Sequence, residues 1–491
     1  MDRGRGNRAG HWPDRQAVSA TPSPRHEAVV GLAFLKLGFG EAAARVIAFA
    51  ATVYLARTLG ASLYGVIVLA TAVLLYLTFL TDCGVDALGI REVADAPTRL
   101  PSRLAETLGA RLLVGIALAV ITALVGLLVL PQPDGAILAI YAFTLLPFAL
   151  GTKWAHLGLE QAGHASAGRV ATEVVATVLI LLLVRGPEDL ARVPLAQLLG
   201  EGAGAFLLLR LLPSGMARLR AAIRPAAVRP LLARSWPLVL HALLGLAIFN
   251  SDFIFLRAFR DSTAVGLYAA AYTLISFFLN LGAAYTMTLL PVITRLRADR
   301  AASRALYDGA MAQVLAGAVP VAVGGFLVAA PIVGLVFGAE YVASAGPLAI
   351  LIWTIPVALI RNVSQAALIA YERQDQLLQT VAWAAGVNVL LNLLLIPPLG
   401  MTGAAVATLV TEVVRTALAV WHVRGHGLPM AGPRRFARIA VAGVVMALVV
   451  WRSAGQPVLV TVGVGALAYG VALAAVGGIR FRRNAMPELT P

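Results

Sequence analysis

Cysteine is almost absent from this chain. Cys83 is the single one among 491 residues, so no disulfide within the chain and no cysteine-based metal site can form. Charged residues make up 13%, and no polar stretch is long enough to house an extramembrane enzyme domain. The phosphate loop Gly-x-x-x-x-Gly-Lys-Ser/Thr is missing, which excludes ATP hydrolysis by the chain itself. His-Glu-x-x-His is missing too. His156 and His241 stand alone in apolar runs and read as packed or interfacial side chains rather than metal ligands. No catalytic constellation, metal site or cofactor motif is found, and the chain is not expected to be an enzyme.

What is present is a rhythm of apolar runs. Hydrophobic residues reach 59% and the mean hydropathy is +0.84. A bilayer core needs roughly 20 apolar residues per helix, and by that measure there are about fourteen spans. They fall at 30–56, 64–85, 106–130, 135–157, 166–185, 192–212, 236–259, 265–292, 306–337, 346–370, 377–396, 402–423, 436–452 and 457–476. The runs are continuous rather than alternating, which excludes a membrane β-barrel. The expected fold class is an all-α polytopic membrane protein.

The formal charge of +15 is unevenly placed. With a cytoplasmic N-terminus, the inward loops include 213–235, with Arg218, Arg220, Arg224, Arg229 and Arg234, and 293–305, with Arg295, Arg297, Arg300 and Arg304. Opposite loops hold little beyond Arg57, Arg260 and Arg452. This is the positive-inside bias, and it puts both termini in the cytoplasm. The basic excess therefore reads as topology and lipid-headgroup contact rather than nucleic-acid binding.

The longest polar interruption follows six spans, and six more precede the stretch 424–435. The expected organisation is a disordered cytoplasmic tail over 1–28, an N-terminal lobe over 29–212, a basic cytoplasmic linker over 213–235 and a C-terminal lobe over 236–423. A final helix pair lies within 424–479 and a cytoplasmic tail over 480–491. Residues 1–28 lack the apolar core of a signal peptide. A constant offset of 201 aligns Gly65 with Gly266, Leu55 with Leu256 and Ala70 with Ala271. That is faint support for two pseudo-symmetric six-helix lobes. Asp86 to Asp95 reads as an amphipathic helix at the interface, ended by Pro97 and Pro101.

Ionisable groups inside spans cost at least ~2.5 kcal/mol each and so face a cavity or a partner. Glu41 and Arg45 have the spacing to pair on one face of the first span. Lys36, Lys153 and Arg169 lie near cytoplasmic ends, where they either snorkel to headgroups or ring the mouth of a cavity. Arg169 and Glu173 are again four apart. Arg361 is deep in the tenth span and shares a face with Gln365. It is a candidate contact for an anion, unless a partner on another helix neutralises it. Asp252 is a candidate coupling-ion or proton site, unless a neighbouring arginine pairs with it. Glu201 and Glu412 can also titrate, with Arg415 a local partner for Glu412. Asn388 and Asn392 read as interhelical hydrogen-bonding groups. The candidates are thus Lys36, Arg45, Lys153, Arg169, Arg361 and Gln365 for substrate, and Glu41, Glu173 and Asp252 for ion coupling.

Several segments carry a family likeness. Tyr54-Leu-Ala-Arg-Thr-Leu-Gly-Ala-Ser-Leu-Tyr-Gly65 is followed by Thr81-Asp-Cys-Gly-Val85 and Arg91-Glu-Val-Ala94. Then come Val265-Gly-Leu-Tyr-Ala-Ala-Ala271 and Val336-Phe-Gly-Ala-Glu-Tyr341 with Ala345. Last are Asn388-Val-Leu-Leu-Asn392, Ile396-Pro-Pro-Leu-Gly400 and Gly403-Ala-Ala405. In order and spacing these resemble the Wzx-type polysaccharide-biosynthesis flippases, lipid-linked oligosaccharide translocases of the superfamily that includes the MATE exporters. The likeness covers most of residues 30–425. It implies two six-helix lobes in a V around a cationic cavity, and ion-coupled alternating access for an undecaprenyl-diphosphate-linked oligosaccharide. It also implies a bacterial inner-membrane location, with a polysaccharide polymerase and a chain-length regulator as partners. The alternatives are a lipid II flippase or multidrug/cation antiporter of the same superfamily, a membrane polysaccharide polymerase or ligase, and a scaffold for glycosyltransferases.

Overall fold

Gly60 shows how the first apolar stretches are organised. Helix α1 (Pro24–Asp82) is two helices joined across this residue, whose φ of 74° and ψ of 168° interrupt the helical path. That φ lies where a side chain is strained and glycine is not. The computed structural model describes residues 24–212, most of 239–428, then 433–477 and the pairs 479–480 and 488–489, with side chains from Gly40 onward. The basic linker 213–235 and the first 23 residues of the tail lie outside the described residues.

The remaining helices follow the apolar runs. They are α2 (Val85–Asp95), α3 (Leu100–Val129), α4 (Asp134–Ala142), α5 (Leu145–Ala149), α6 (Lys153–Gly158), α7 (Ala162–Leu183) and α8 (Arg192–Leu211), then α9 (Ser251–Phe259), α10 (Ser262–Leu296), α11 (Arg300–Leu327), α12 (Ala329–Phe337), α13 (Ala345–Leu351), α14 (Thr354–Ala370), α15 (Gln374–Leu399), α16 (Met401–Gly425), α17 (Pro433–Arg452) and α18 (Val458–Ala475). A two-residue strand pair joins Ile479–Arg480 to Glu488–Leu489. Among the described residues nine helices are long and apolar enough to cross a membrane, or ten if one bent pair counts as a span. Their outer faces carry exposed Leu128, Leu182, Trp383, Trp421 and Leu467, as a lipid-facing surface requires.

Three runs expected to be single helices are broken. The run 135–157 divides at Phe143 and Thr144, 306–337 divides at Val328, and 346–370 bends by 42° between Leu351 and Thr354. Each break lies three or four residues before a proline, Pro147, Pro331 or Pro356. Proline has no N–H to return to the carbonyl four residues back, and its ring crowds that carbonyl. Pro320, inside α11, is accommodated without a break.

Helices α1 to α8 pack chiefly on one another, as do α9 to α16, while α17 and α18 pair and rest on α11. In the first bundle, small residues let α7 and α8 approach closely. A Cβ on Gly200 would press on Ala176 and the Thr172 carbonyl, and Gly168 faces Leu208. The two bundles meet mainly along α1 and α10. At one end of that seam Gly65 and Gly266 lie backbone to backbone. A Cβ on Gly65 would collide with the Ser262 carbonyl, and one on Gly266 with the Ala61 carbonyl. The contact is reciprocal at the offset of 201 residues, since Ala61 and Ser262 are themselves 201 apart.

Polar bonds across the seam gather at the same end. Arg57 donates through Nε to the Val336 carbonyl at 2.8 Å and through a second nitrogen to the Leu335 carbonyl. The Ala61 N–H donates to Glu340 Oε1 at 2.8 Å, and the Tyr341 hydroxyl donates to the Ala56 carbonyl at 2.8 Å. Arg257 holds the buried Asp134 carboxylate at 2.5 Å. One further bond, from the Tyr76 hydroxyl to the Leu246 carbonyl at 3.2 Å, lies deeper. The two bundles are thus clamped together at the end that carries Gly60, Asp134 and Glu340.

Candidate functional site

Charged groups within the helices fall into three clusters. The first lies in the first bundle. Lys36 and Lys153 are the only lysines in the sequence. Lys36 is on α1 at a position whose side chain lies outside the described residues. Lys153, at the start of α6, donates to Glu41 Oε1 at 2.9 Å, with both side chains half-buried. Glu41 is thus held by a residue 112 positions away, and no ion pair joins it to Arg45 among the described residues. Arg45 is exposed, and it and Arg169 both act on Glu41 through space. Arg169 pairs with Glu173 at 2.6 Å, four residues along α7.

Beside this cluster is a cavity of about 380 Å³ between α1, α5, α7 and α8, lined by Arg169, Glu173, Gln197, Glu201 and a set of threonines. The spacings 169, 173 and 177 on α7 and 197 and 201 on α8 bring these groups to one face of each helix. With Arg45, Lys153 and Arg169 set against Glu41, Glu173 and Glu201, the region is formally balanced.

The second cluster is in the other bundle. Arg361, 8% exposed on α14, donates through Nε to Glu412 Oε2 at 3.0 Å and through a terminal nitrogen to Gln365 Oε1 at 2.9 Å. Arg415 approaches the other Glu412 oxygen at 3.4 Å. Two guanidiniums thus approach one carboxylate. A buried pair of this kind is weak evidence for stability, because desolvation consumes much of the Coulomb gain. Arg361 is not among the residues that line the first-bundle cavity. The structure therefore groups Glu41, Lys153, Arg169 and Glu173 together and sets Arg361 and Gln365 apart from them.

The third cluster surrounds Asp252 on α9, which is fully buried. Tyr268 and Thr408 donate to Oδ2 at 2.8 and 2.5 Å, and Asn392 donates to Oδ1 at 2.6 Å. Asn388 accepts from Asn392 at 3.0 Å and from Ser251 at 3.0 Å. Among the described residues no cation pairs with Asp252; the nearby Arg257 is committed to Asp134. Asn392 Oδ1 is buried and has no hydrogen-bond partner among the described residues. Sequence reasoning did not find Thr408 or Tyr268, which sit 156 and 16 residues from Asp252. Tyrosine and threonine in apolar helices carry no signal of their own. Asn388 and Asn392 do join helices, as the sequence suggested, through Ser251 and Thr411, and Asn392 also reaches the buried carboxylate.

Helices broken within apolar runs, charges buried in two bundles and a seam closed at one end define a multi-pass membrane transporter. Residues 34–297, more than half of the chain, match the family described as "Polysaccharide biosynthesis protein", and the chain belongs to that family. It is a flippase-family membrane protein and not an enzyme. Over 241 residues it is 30% identical to "Probable flippase AglR" of Haloferax volcanii, across 45% of this chain and 49% of that protein. The match thus spans about half the length of the curated relative. Among solved structures the chain is similar to "Lipid II flippase MurJ, inward closed conformation", with TM-score 0.76, 12% identity, and coverage of 89% of this chain and 98% of that one. It is also similar to an inward-facing multidrug resistance MATE family transporter of the MOP superfamily, with TM-score 0.62, 14% identity, and coverage of 78% and 95%. At such identities the likeness speaks for the fold.

Proposed function

We propose that this protein translocates an undecaprenyl-diphosphate-linked oligosaccharide, a repeat unit of O-antigen, capsule or exopolysaccharide, across a bacterial inner membrane by ion-coupled alternating access. The observation that carries the reading is the group Arg45, Lys153 and Arg169, gathered near the first-bundle cavity with Glu41 and Glu173 beside them. An anionic headgroup can take over from those two carboxylates as the partner of the cations. Arg offers fork geometry and Lys a point charge to a diphosphate. The lipid tail stays in the bilayer while the head passes. Lys36, Arg361 and Gln365 complete the substrate contacts in this reading.

Fourteen passes follow if α1 counts as two spans and the bent pair as one, with α8, α9 and α17 added. The domains are then the lobes 29–212 and 236–423, the basic linker 213–235, the helix pair within 424–479, and the tails 1–28 and 480–491. Both termini are cytoplasmic. The clamped end carries the arginine-poor loops, so on the positive-inside rule it faces outward and the cavities open inward. Asp252, with the oxygens of Thr408, Asn388 and Asn392 around it, is the principal coupling site for a proton or a monovalent cation. Glu41 and Glu173 exchange partners as the cavity fills. A polysaccharide polymerase and a chain-length regulator act on the product.

Deleting the gene, in cells lacking any redundant translocase, is expected to strand lipid-linked repeat units on the inner leaflet. Units that still reach the outer leaflet at the normal rate would sink the reading. Arg361→Ala is expected to lower surface polysaccharide at unchanged protein level, because Arg415 continues to balance Glu412. Unchanged surface polymer would remove Arg361 from the site.

A further inference from the structure

The first-bundle cavity has a chemistry that a diphosphate does not explain. Its volume of about 380 Å³ equals roughly twelve waters at ~30 Å³ each, far more than a proton or a bare cation needs. Its lining is mostly apolar, and several of the polar groups set in it are acceptors. Thr71 and Thr78 spend their hydroxyl protons on carbonyls of their own helix turns, and Thr144 gives its proton to the Tyr141 carbonyl. What they turn to the cavity is lone pairs. Gln197 and Glu201 add an amide and a carboxylate. Among the described residues Glu201 makes no ion pair or hydrogen bond, although the charges of Arg169 and Glu173 are close by. A carboxylate without a partner at membrane depth is costly. A phosphate brings only acceptors and finds Arg169 alone among the lining cations, and an acyl chain satisfies none of the polar groups. A ligand with several O–H or N–H donors fits.

We propose that this cavity is a sugar subsite, which takes the first sugar ring of the lipid-linked substrate while the adjoining diphosphate rests on Arg169, Lys153 and Arg45 at its rim. Glu201 accepts two ring hydroxyls, or a hydroxyl and an amide N–H, and Gln197 and the threonine oxygens accept others. Arg169 stands both in the cavity lining and in the cationic cluster, which is where the junction between sugar and phosphate belongs. The assignment rests on the flippase reading and adds to it the half of the headgroup that carries no charge.

The test is binding to the full chain in lipid nanodiscs, followed by tryptophan fluorescence. The probes are undecaprenyl diphosphate and the same carrier bearing one N-acetylhexosamine. The sugar-bearing carrier is expected to bind about tenfold tighter, as one or two charge-assisted hydrogen bonds allow. Glu201→Gln removes the charged acceptor with little change of shape, and Ala48→Leu fills the cavity from α1. Each is expected to cut the ratio of the two affinities below about twofold. If the wild-type protein binds both carriers equally, the subsite is wrong and the flippase reading stands. If the ratio survives both substitutions the subsite is likewise wrong. So it is if Glu201→Gln keeps the ratio but removes the dependence of transport on an ion gradient, which would make the cavity an ion site. If neither carrier binds, the flippase reading fails and the subsite with it.

Discussion

Gly65→Val is expected to abolish transport while the protein still inserts. The new side chain has nowhere to go, because even a Cβ would collide with the Ser262 carbonyl and the Gly266 backbone. Backbone cannot yield as a flexible side chain does, so α1 and α10 must part at the clamped end. Overpacking of this kind typically costs about 1–3 kcal/mol. The bonds from Arg57, Ala61 and Tyr341 depend on the same approach and weaken with it. On the proposed alternating-access cycle, the closure at that end is then lost and the inward-open stage cannot be regained. The scarcity of cysteine makes this measurable. With Cys83 replaced by serine, a reporter cysteine at Thr52 is expected to be shielded from an impermeant thiol reagent applied outside, and to become reactive in Gly65→Val. Gly309→Ala, where nothing lies within 4 Å of a new Cβ, serves as the neutral comparison. A reporter that stays shielded while transport continues would show that the seam is not the closure.

Asp252→Asn is expected to lower gradient-driven transport at least about tenfold and to leave the protein as stable as before or more so. The substitution preserves shape. Thr408 and Tyr268 still find an oxygen, and Asn392 can rotate its partnerless Oδ1 toward the new amide. What disappears is a fully buried acid with no cation beside it among the described residues, a burden of about 2.5–3.5 kcal/mol on insertion scales when ionised. Loss of function with gain of stability is the mark of a group retained for its chemistry. Wild-type transport in Asp252→Asn, under an imposed proton or sodium gradient, would exclude Asp252 as the coupling site. A fall in melting temperature with unchanged transport would make it a structural residue.

Helix placement was legible because it depends on local information. Apolar run length marked most of the long described helices to within about six residues, and α2 appeared where Asp86 to Asp95 had the pattern of an interfacial helix. Breaks inside runs were less legible, although Pro147, Pro331 and Pro356 carried the signal. The offset linking Gly65 to Gly266 was visible as a faint repeat, but the same two glycines touching across the seam was not. A repeat says that two positions are alike and does not say that they meet. Partner choice was the least legible part. Glu41 had Arg45 four residues away and instead bonds Lys153, because α6 delivers an ammonium to the half-buried carboxylate while Arg45 points outward. Arg361 had no acid close in sequence and is paired with Glu412, 51 residues on. A buried ion must find a counter-ion, and one sequence gives no measure of which helices adjoin.

Reconstitution tests the central claim most directly. The purified chain is placed in liposomes whose undecaprenyl-diphosphate-linked oligosaccharide starts in one leaflet, and a sugar-cleaving enzyme or lectin on the far side reports its arrival. Transfer well above that in protein-free vesicles, dependent on an ion gradient and absent in Asp252→Asn, is the predicted result. Arrival no faster than in empty vesicles, from a preparation that still binds the lipid, would contradict translocation as this protein's function.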